Sequence, residues 1–426
     1  MKDPKVLVVG INPWIDNTGI NTLINFFDDW DKESLAHLYT RAGLPNTKIC
    51  DRFFRISEPK VLKSLFKRGI KTGEIVSNSD NVPVSDEEEK IYKKKRSYFT
   101  ALCREAVWLF GKWKTKELDA FLDEYNADVL FFPVYSNVYM CRLQNYIAKR
   151  LKKPVILYSS DDNYSYKSVP KTPFSLLHRS WLRGQEKKLF MRADRVMVIS
   201  PKQKEEYDRM FNTDSVVLTK GVDFSKYPFV RKEISEPIRI VYTGKLIIGR
   251  WKTLAAIAEA LGEINSDRFR FELDIYTTDE PDDEQKAALN QNGSNIKGAL
   301  TLSEVQRVQA ESDILVFVES LEKKYKNTAR LSFSTKITDY LKSGKCIFAI
   351  GGEDIAPIDY FKRYDSAIVA TSYAQIKEKL KMLSENTDLI EEYSKKAYDC
   401  GFEHHEKSKM NALLKETILK THEKRI

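Results

Sequence analysis

Ile238-Arg239-Ile240-Val241-Tyr242-Thr243-Gly244-Lys245-Leu246, followed closely by Gly249-Arg250-Trp251-Lys252-Thr253-Leu254, reads as a short apolar strand, a tight turn and the start of an amphipathic helix. The same alternation extends outward in both directions. On the amino side, apolar runs at residues 5–11, 128–134, 154–158, 195–199 and 215–218 predict strands, and Pro201 begins a helix over 202–211 with Ser200 as its cap. On the carboxyl side a helix at 253–262 is followed by strands at 271–276, 314–318, 346–350 and 367–369. Short strands alternating with helices predict doubly wound parallel sheets. The quoted stretch is where the cycle restarts after a join near residues 228–237, so the chain holds two such sets. The fold class expected is α/β, with two Rossmann-like domains facing across a cleft and ligands held by the loops at the carboxyl ends of the strands. The domains expected are 1–228, 229–400 and a C-terminal helix over 401–426 that returns toward the first domain.

A chain of 426 residues accommodates about two to three domains at roughly 100–200 residues each. With 42% hydrophobic and 31% charged residues the composition is that of a soluble globular protein. No apolar run reaches the roughly 18 residues of a membrane span, and the first one breaks at Asn12-Pro13, so it is expected to be a buried strand and not a signal peptide. Five scattered cysteines without a CxxC pair or zinc-type spacing suit a reducing cytoplasm and no structural metal. The net charge of +9 is uneven. Residues 43–75 carry 8 basic and 3 acidic side chains (net +5), and residues 90–117 carry 9 and 2 (net +7), together more than the whole surplus. The first half is therefore the basic one, and anionic partners are favoured.

Three loops carry candidate chemistry. After the first strand, Gly19 lies in a turn that leads into a helix, where a ligand can approach the backbone, although a plain turn glycine reads the same way. The GxGxxG fingerprint is absent, which disfavours a dinucleotide site. In the quoted stretch, Lys245, Arg250 and Lys252 surround a turn beside Gly244, suited to a pyrophosphate or equally to solvated loop cations. Further on, Ser334-Thr335-Lys336 opens a helix that Gly344 ends, forming an anion cradle. Asp339 lies one turn deeper on the same face, where a carboxylate could accept both ribose hydroxyls.

Taken with Ala193-Asp194-Arg195-Val196-Met197-Val198-Ile199-Ser200, Lys220-Gly221-Val222-Asp223 and Ser312-Asp313-Ile314-Leu315-Val316, these segments resemble the retaining glycosyltransferases of the GT-B fold, particularly the family 4 group, over essentially the whole chain. Tyr242-Thr243-Gly244-Lys245-Leu246 resembles the family turn whose cation binds the donor diphosphate, and Lys252 stands at its second diphosphate lysine, after a turn about two residues longer. The two-glutamate motif of the family falls on Leu331 and Asp339, so the first acid is lost and the second shortened. Where many relatives carry a histidine, this chain reads Tyr158-Ser159-Ser160-Asp161-Asp162-Asn163-Tyr164, and Asp161 or Asp162 is expected in its role, paired loop aspartates being otherwise a turn or helix cap.

The resemblance implies a hexosyltransferase-type enzyme. It would move a sugar from a nucleotide-diphosphate donor to a hydroxyl of a glycan or lipid-linked acceptor, with retention, in surface polysaccharide or glycoconjugate synthesis. Candidate catalytic residues are Asp161, Asp162, Lys245 and Lys252. Donor-binding candidates are Gly19, Gly244, Lys245, Lys252, Thr277, Lys297, Ser334, Thr335, Lys336 and Asp339. The backbone around Ile296-Lys297-Gly298 is expected against the nucleobase. No metal and no cofactor beyond the nucleotide-sugar co-substrate are expected, since Asp279 and Pro281-Asp282-Asp283 read as a solvated turn.

For the acceptor side, Lys60-Val61-Leu62-Lys63-Ser64-Leu65-Phe66-Lys67-Arg68 and the aromatic stretch 92–113 suit an anionic membrane surface, with a peripheral position at the inner face of the plasma membrane. Core packing is the reading favoured for Phe99, Leu102, Ala106, Leu109 and Trp113. No nucleic-acid signature is present. The other function class is a catalytically silent GT-B subunit that binds a glycan or protein partner, motivated by Leu331.

Overall fold

The computed structural model describes residues 3–16, 22–79 and 97–424. The chain divides into two compact units: one runs through Ile199 and includes Gln203–Thr219 and the chain from Met410 onward, and the other holds Ser200–Lys202 and Lys220–Lys409.

Among the described residues the first unit is built on eight strands: β1 (Val6–Val9), β2 (Leu35–Tyr39), β3 (Arg52–Ile56), β4 (Gly73–Val76), β5 (Val129–Pro133), β6 (Val155–Ser159), β7 (Arg195–Val198) and β8 (Val216–Val217). They pair in the order β4-β3-β2-β1-β5-β6-β7-β8. All pairs are parallel except β3 with β4. Every residue of β1, β5 and β6 is buried, because helices such as Val138–Leu151 and Pro173–Phe190 cover the sheet and leave no polar face. Val6 stands between Leu35 of β2 and Val129 of β5, so the chain reverses its direction of winding at β1.

The second unit carries β9 (Ile238–Thr243), β10 (Phe271–Tyr276), β11 (Ser294–Gly298), β12 (Ile314–Val318), β13 (Cys346–Ile350) and β14 (Ile368–Ala370), in the order β11-β10-β9-β12-β13-β14 and parallel throughout. Ile240 lies between Leu273 of β10 and Ile314 of β12, which makes β9 the switch point of this sheet. Leu273, Ile275, Val316 and Phe348 join residues of the helix Arg250–Ile264 in one apolar core.

The structure adds strands that the apolar pattern did not reveal: β2, β3, β4 and β11. Each is interrupted by polar residues, His37 in β2, Arg52 and Arg55 in β3, Glu74 in β4 and Lys297 in β11. It also corrects the packing expected of the helix Tyr98–Phe110. The side chains that this helix buries are Glu105 and Trp108, while Phe99 and Leu109 are exposed and Leu102 and Ala106 only partly covered; Trp113, just beyond its end, is buried as expected. The cause is the Glu105 carboxylate, which accepts hydrogen bonds from the amides of Val138 (2.9 Å) and Tyr139 (2.7 Å) at the start of the next helix and so fixes which face turns inward. Among the described residues no helix is long and apolar enough to cross a membrane.

Candidate functional site

The carboxyl end of β9 gathers most of the expected donor residues of the second unit. Three loops are tied together there. The Gly244 amide donates to the Tyr276 carbonyl (2.9 Å). The Leu246 amide donates to Asp279 Oδ2 (2.6 Å), the Asp279 amide to Thr277 Oγ1 (3.0 Å) and the Thr277 amide to the Gly298 carbonyl (2.8 Å). Asp279 is therefore a clamp on the cationic turn, a correction to its reading as a solvated residue, and Thr277 acts through it.

Gly244 has no room for a side chain, since a Cβ there would collide with the Lys336 ammonium and come within 2.8 Å of the Tyr242 hydroxyl. Tyr242 Oη in turn donates to the Lys245 carbonyl (2.7 Å), and the Lys245 side chain is exposed with no ionic partner among the described residues. The turn then passes through the left-handed region at Ile248 (φ 60°) and Gly249 (φ 72°) before the helix Arg250–Ile264 begins. At the opening of that helix, Arg250 forms a forked pair with Glu319, with contacts of 2.8 to 3.1 Å, and Lys252 pairs with Glu322 at 3.0 Å. Carboxylates thus already hold both cations in place. Burial works against the Arg250 charge, but the Glu319 fork outweighs it and raises its pKa.

Lys336 reaches the same point from the helix Thr335–Lys342. Its ammonium donates to the Thr243 carbonyl at the last residue of β9 (2.7 Å) and stands over the Tyr242 ring. Burial, together with repulsion from Arg250, pushes its pKa down to about 8, against the opposing attraction of Glu319 and Asp339. The Ser334 hydroxyl caps this helix by accepting the Lys336 amide (3.3 Å), with Thr335 as the first helical residue. Gly244, Lys245, Lys252, Ser334, Thr335 and Lys336 are thereby brought to one end of one sheet.

Two donor candidates are engaged elsewhere. Asp339 pairs with Lys220 (3.1 Å) and Lys342 (3.3 Å), so its carboxylate is already neutralised by cations. Lys297 turns its ammonium along the strands toward Asp274 (3.3 Å). Leu331, at the position of the missing acid, is wholly buried.

In the first unit, Asp161 and Asp162 follow β6. Asp161 is exposed, and its carbonyl accepts from Tyr207 Oη (3.1 Å) and Gln203 Nε2 (3.2 Å). Asp162 is buried. Its carboxylate accepts the Ser165 amide (3.0 Å) and hydroxyl (2.5 Å), a turn-forming role. Beneath this loop lies Glu186, wholly enclosed and without a hydrogen-bond partner among the described residues, its pKa pushed up to about 8 by burial. Gly19 lies outside the described residues.

No protein-family model matches the chain, and no curated protein matches it by sequence. Solved structures do. HepE of Anabaena in complex with UDP is 10% identical, with a TM-score of 0.62 over 99% of this chain and 100% of that one. A glycosyltransferase of Rickettsia africae is 14% identical, with a TM-score of 0.58 over 98% and 99% of the two chains. Sucrose-phosphate synthase of Thermosynechococcus elongatus is 8% identical, with a TM-score of 0.61 over 97% and 98%.

The chain has the GT-B fold.

Sequence reasoning missed two acidic residues at this GT-B switch point, Glu319 and Glu322, and read the clamp Asp279 as solvated. Glu319 follows directly on the apolar run 314–318, and the rule that function collects after strands would have pointed to it. Glu322 and Asp279 carried no signal, because a loop carboxylate acquires meaning only from the amide or cation that it meets in space.

Proposed function

We propose that this protein is a glycosyltransferase that moves a sugar from a nucleoside-diphosphate donor to a hydroxyl of a glycan or lipid-linked acceptor, as a hexosyl transfer with retention. The observation that carries the proposal is the convergence of Lys245, Lys336 and the bare backbone of Gly244 at the switch point of the second sheet. Negative charge grows on the leaving diphosphate in such a reaction, and cations fixed in advance stabilise it without reorganisation. Lys336 has a hydrogen-bonding partner to exchange, the Thr243 carbonyl, and a lowered pKa that a bound anion would restore. Lys245 supplies an unpaired charge, while Lys252 must share its ammonium with Glu322. The amides near Ser334 and Thr335 add donors of their own. The fold shared with HepE, whose structures hold UDP and UDP-glucose, supports a nucleotide-sugar as the ligand.

Transfer or hydrolysis assayed over UDP-, GDP- and TDP-sugars tests this reading. Lys245→Ala is expected to weaken binding of the accepted donor about tenfold, the size of one charge-assisted contact. EDTA is expected to leave turnover unchanged, as metal independence requires. Absence of binding and turnover with every donor would refute the proposal.

A second reading is a catalytically silent subunit that binds a glycan or protein partner. It is favoured by Leu331, whose buried apolar side chain offers a donor sugar no hydrogen bond. Donor binding without turnover would select it.

We also infer peripheral contact with an anionic membrane, in a cytoplasmic setting and in surface polysaccharide synthesis. Phe66 is 87% exposed beside Lys67 and Arg68, and Phe110 is 76% exposed at the end of its helix. Sedimentation with vesicles of anionic lipid is expected to carry the protein down, and with zwitterionic lipid to leave it in solution. Equal behaviour with both would count against the inference.

A further inference from the structure

The first unit contains a cavity of about 440 Å³ that none of the chemistry above uses. It lies between the helices Val138–Leu151 and Pro173–Phe190 and the segment that leads into the helix Lys116–Tyr125, and none of its lining residues belongs to a loop that follows a strand. Its volume is within the range of small-ligand sites, roughly 300–1,000 Å³. Among the described residues five cations line it, Lys114, Arg142, Lys149, Lys188 and Arg192, and no carboxylate does.

Elsewhere on this protein, cations close together are interleaved with acids, as Arg250 is with Glu319 and Lys252 with Glu322. Here none of the five has an acidic partner among the described residues. The two guanidinium groups instead donate to neutral oxygens, Arg142 to the Trp108 carbonyl (3.3 Å) and Arg192 to the Asn145 carbonyl (3.2 Å) and side chain (3.4 Å). The Lys114 ammonium lies over the rings of both Trp113 and Tyr146, 5.1 and 5.2 Å from their centres. Arg142 is half-withdrawn from water, and burial lowers its pKa against the opposing attraction of Glu105. Like charges gathered around one recess raise the energy of the empty site and lower that of an anion-filled one, and partial desolvation adds to this at Arg142. Asn145 and Gln185 add amide groups to the lining, and planar guanidinium forks match phosphate oxygens in pairs.

We propose that this recess is an anion-binding site, separate from the end of β9, for a ligand with a phosphomonoester or pyrophosphate group, free in solution or as the headgroup of a lipid. A single carboxylate would leave most of the positive charge uncompensated, whereas a group with two or more negative charges meets several cations at once. The proposal does not depend on the glycosyltransferase reading.

The test follows the indole N–H signal of Trp113 in the intact protein, assigned through Trp113→Phe, during titration with inorganic pyrophosphate. Lys149 and Lys188 are exposed, so K149E/K188E is expected to fold normally, which a melting curve checks. The signal is expected to shift in the wild-type chain and in Lys245→Ala, and the K149E/K188E variant to bind pyrophosphate about tenfold or more weakly. Retention of the response in Lys245→Ala separates this site from the donor site, so the two proposals fail independently.

Vesicles of phosphatidic acid in phosphatidylcholine distinguish the sources of the phosphate. Loss of vesicle binding in K149E/K188E assigns a lipid headgroup, and unchanged vesicle binding beside a lost pyrophosphate response assigns a soluble ligand. A Trp113 signal that ignores pyrophosphate at millimolar concentration, with vesicle binding unaltered by K149E/K188E, overturns the proposal. So does a pyrophosphate response that persists undiminished in that variant, or binding of a single-stranded oligonucleotide without any response to pyrophosphate.

Discussion

Lys336 holds its charge where burial and Arg250 both act against it, with its ammonium on a strand carbonyl and its pKa near 8. A lysine in this condition is sensitive to pH in a range where surface lysines are not. In the unliganded protein, its charge is complete below about pH 7 and is lost as pH rises through about 8. A bound diphosphate favours the protonated form, so donor affinity is expected to fall as pH rises past 8, approaching tenfold per unit once the amine is neutral. Binding titrations from pH 6.5 to 9.5 check this. In Lys336→Met the affinity is expected to be lower throughout and flat over the same range; an unchanged slope would separate Lys336 from the ligand. The residue type and its place at a helix start were legible in the sequence, but its contact with Thr243, 93 positions away, was not.

At the scale of the element, the turn between β9 and the helix Arg250–Ile264 is the part of the site most constrained by its backbone. Gly249 combines φ of +72° with a surface that a Cβ would strike at three points: Ser320 Oγ at 2.6 Å, Glu322 Oε2 at 2.7 Å and Tyr325 Cδ2 at 2.7 Å. Ile248 before it, a β-branched residue also at positive φ, shows that the turn is held by its surroundings more than by local preference. Gly249→Ala is expected to destabilise the protein by about 1–3 kcal/mol in urea unfolding and to weaken donor binding, because both the strain and the displacement of Glu322 act on the Lys252 pair. Wild-type stability and affinity in this variant would mean that the turn tolerates rearrangement. The sequence marked this turn by its two glycines and by a length about two residues beyond the family pattern. It marked β2 and β3 poorly, since a buried histidine in one and two arginines in the other break the apolar run by which a strand is recognised.

At the scale of the whole molecule, the chain ends on the unit where it began. From Met410 the helix Lys407–Glu423 belongs to the first unit. Lys415 pairs with Asp3 (2.8 Å) and Leu414 and Ile418 are buried. An ion pair whose lysine remains half in solvent contributes little, about 0–1 kcal/mol, so the two apolar side chains hold the helix in place. Leu414→Ala is expected to cost about 2–5 kcal/mol in chemical unfolding, and Lys415→Ala less than about 1 kcal/mol. Equal effects of the two would show that charge, not packing, attaches the helix.

The sequence by itself determined the α/β class, the restart of the strand-helix cycle at Ile238, the cations around Gly244 and the excess of positive charge in the first half. All of these are local: they are carried by periodicity, by turn chemistry and by neighbours within a few residues, which survive in a linear reading. Only the tertiary structure decided which charges are already spent. Asp339 pairs with Lys220, Asp162 is consumed by Ser165, and Arg250 and Lys252 are held by Glu319 and Glu322, whereas Lys245 and the cations around Trp113 have no acidic partner among the described residues. Whether a charge is available to a ligand depends on Coulomb and hydrogen-bond terms that fall off within a few ångströms, and distances of that order between remote parts of a chain exist only once it has folded.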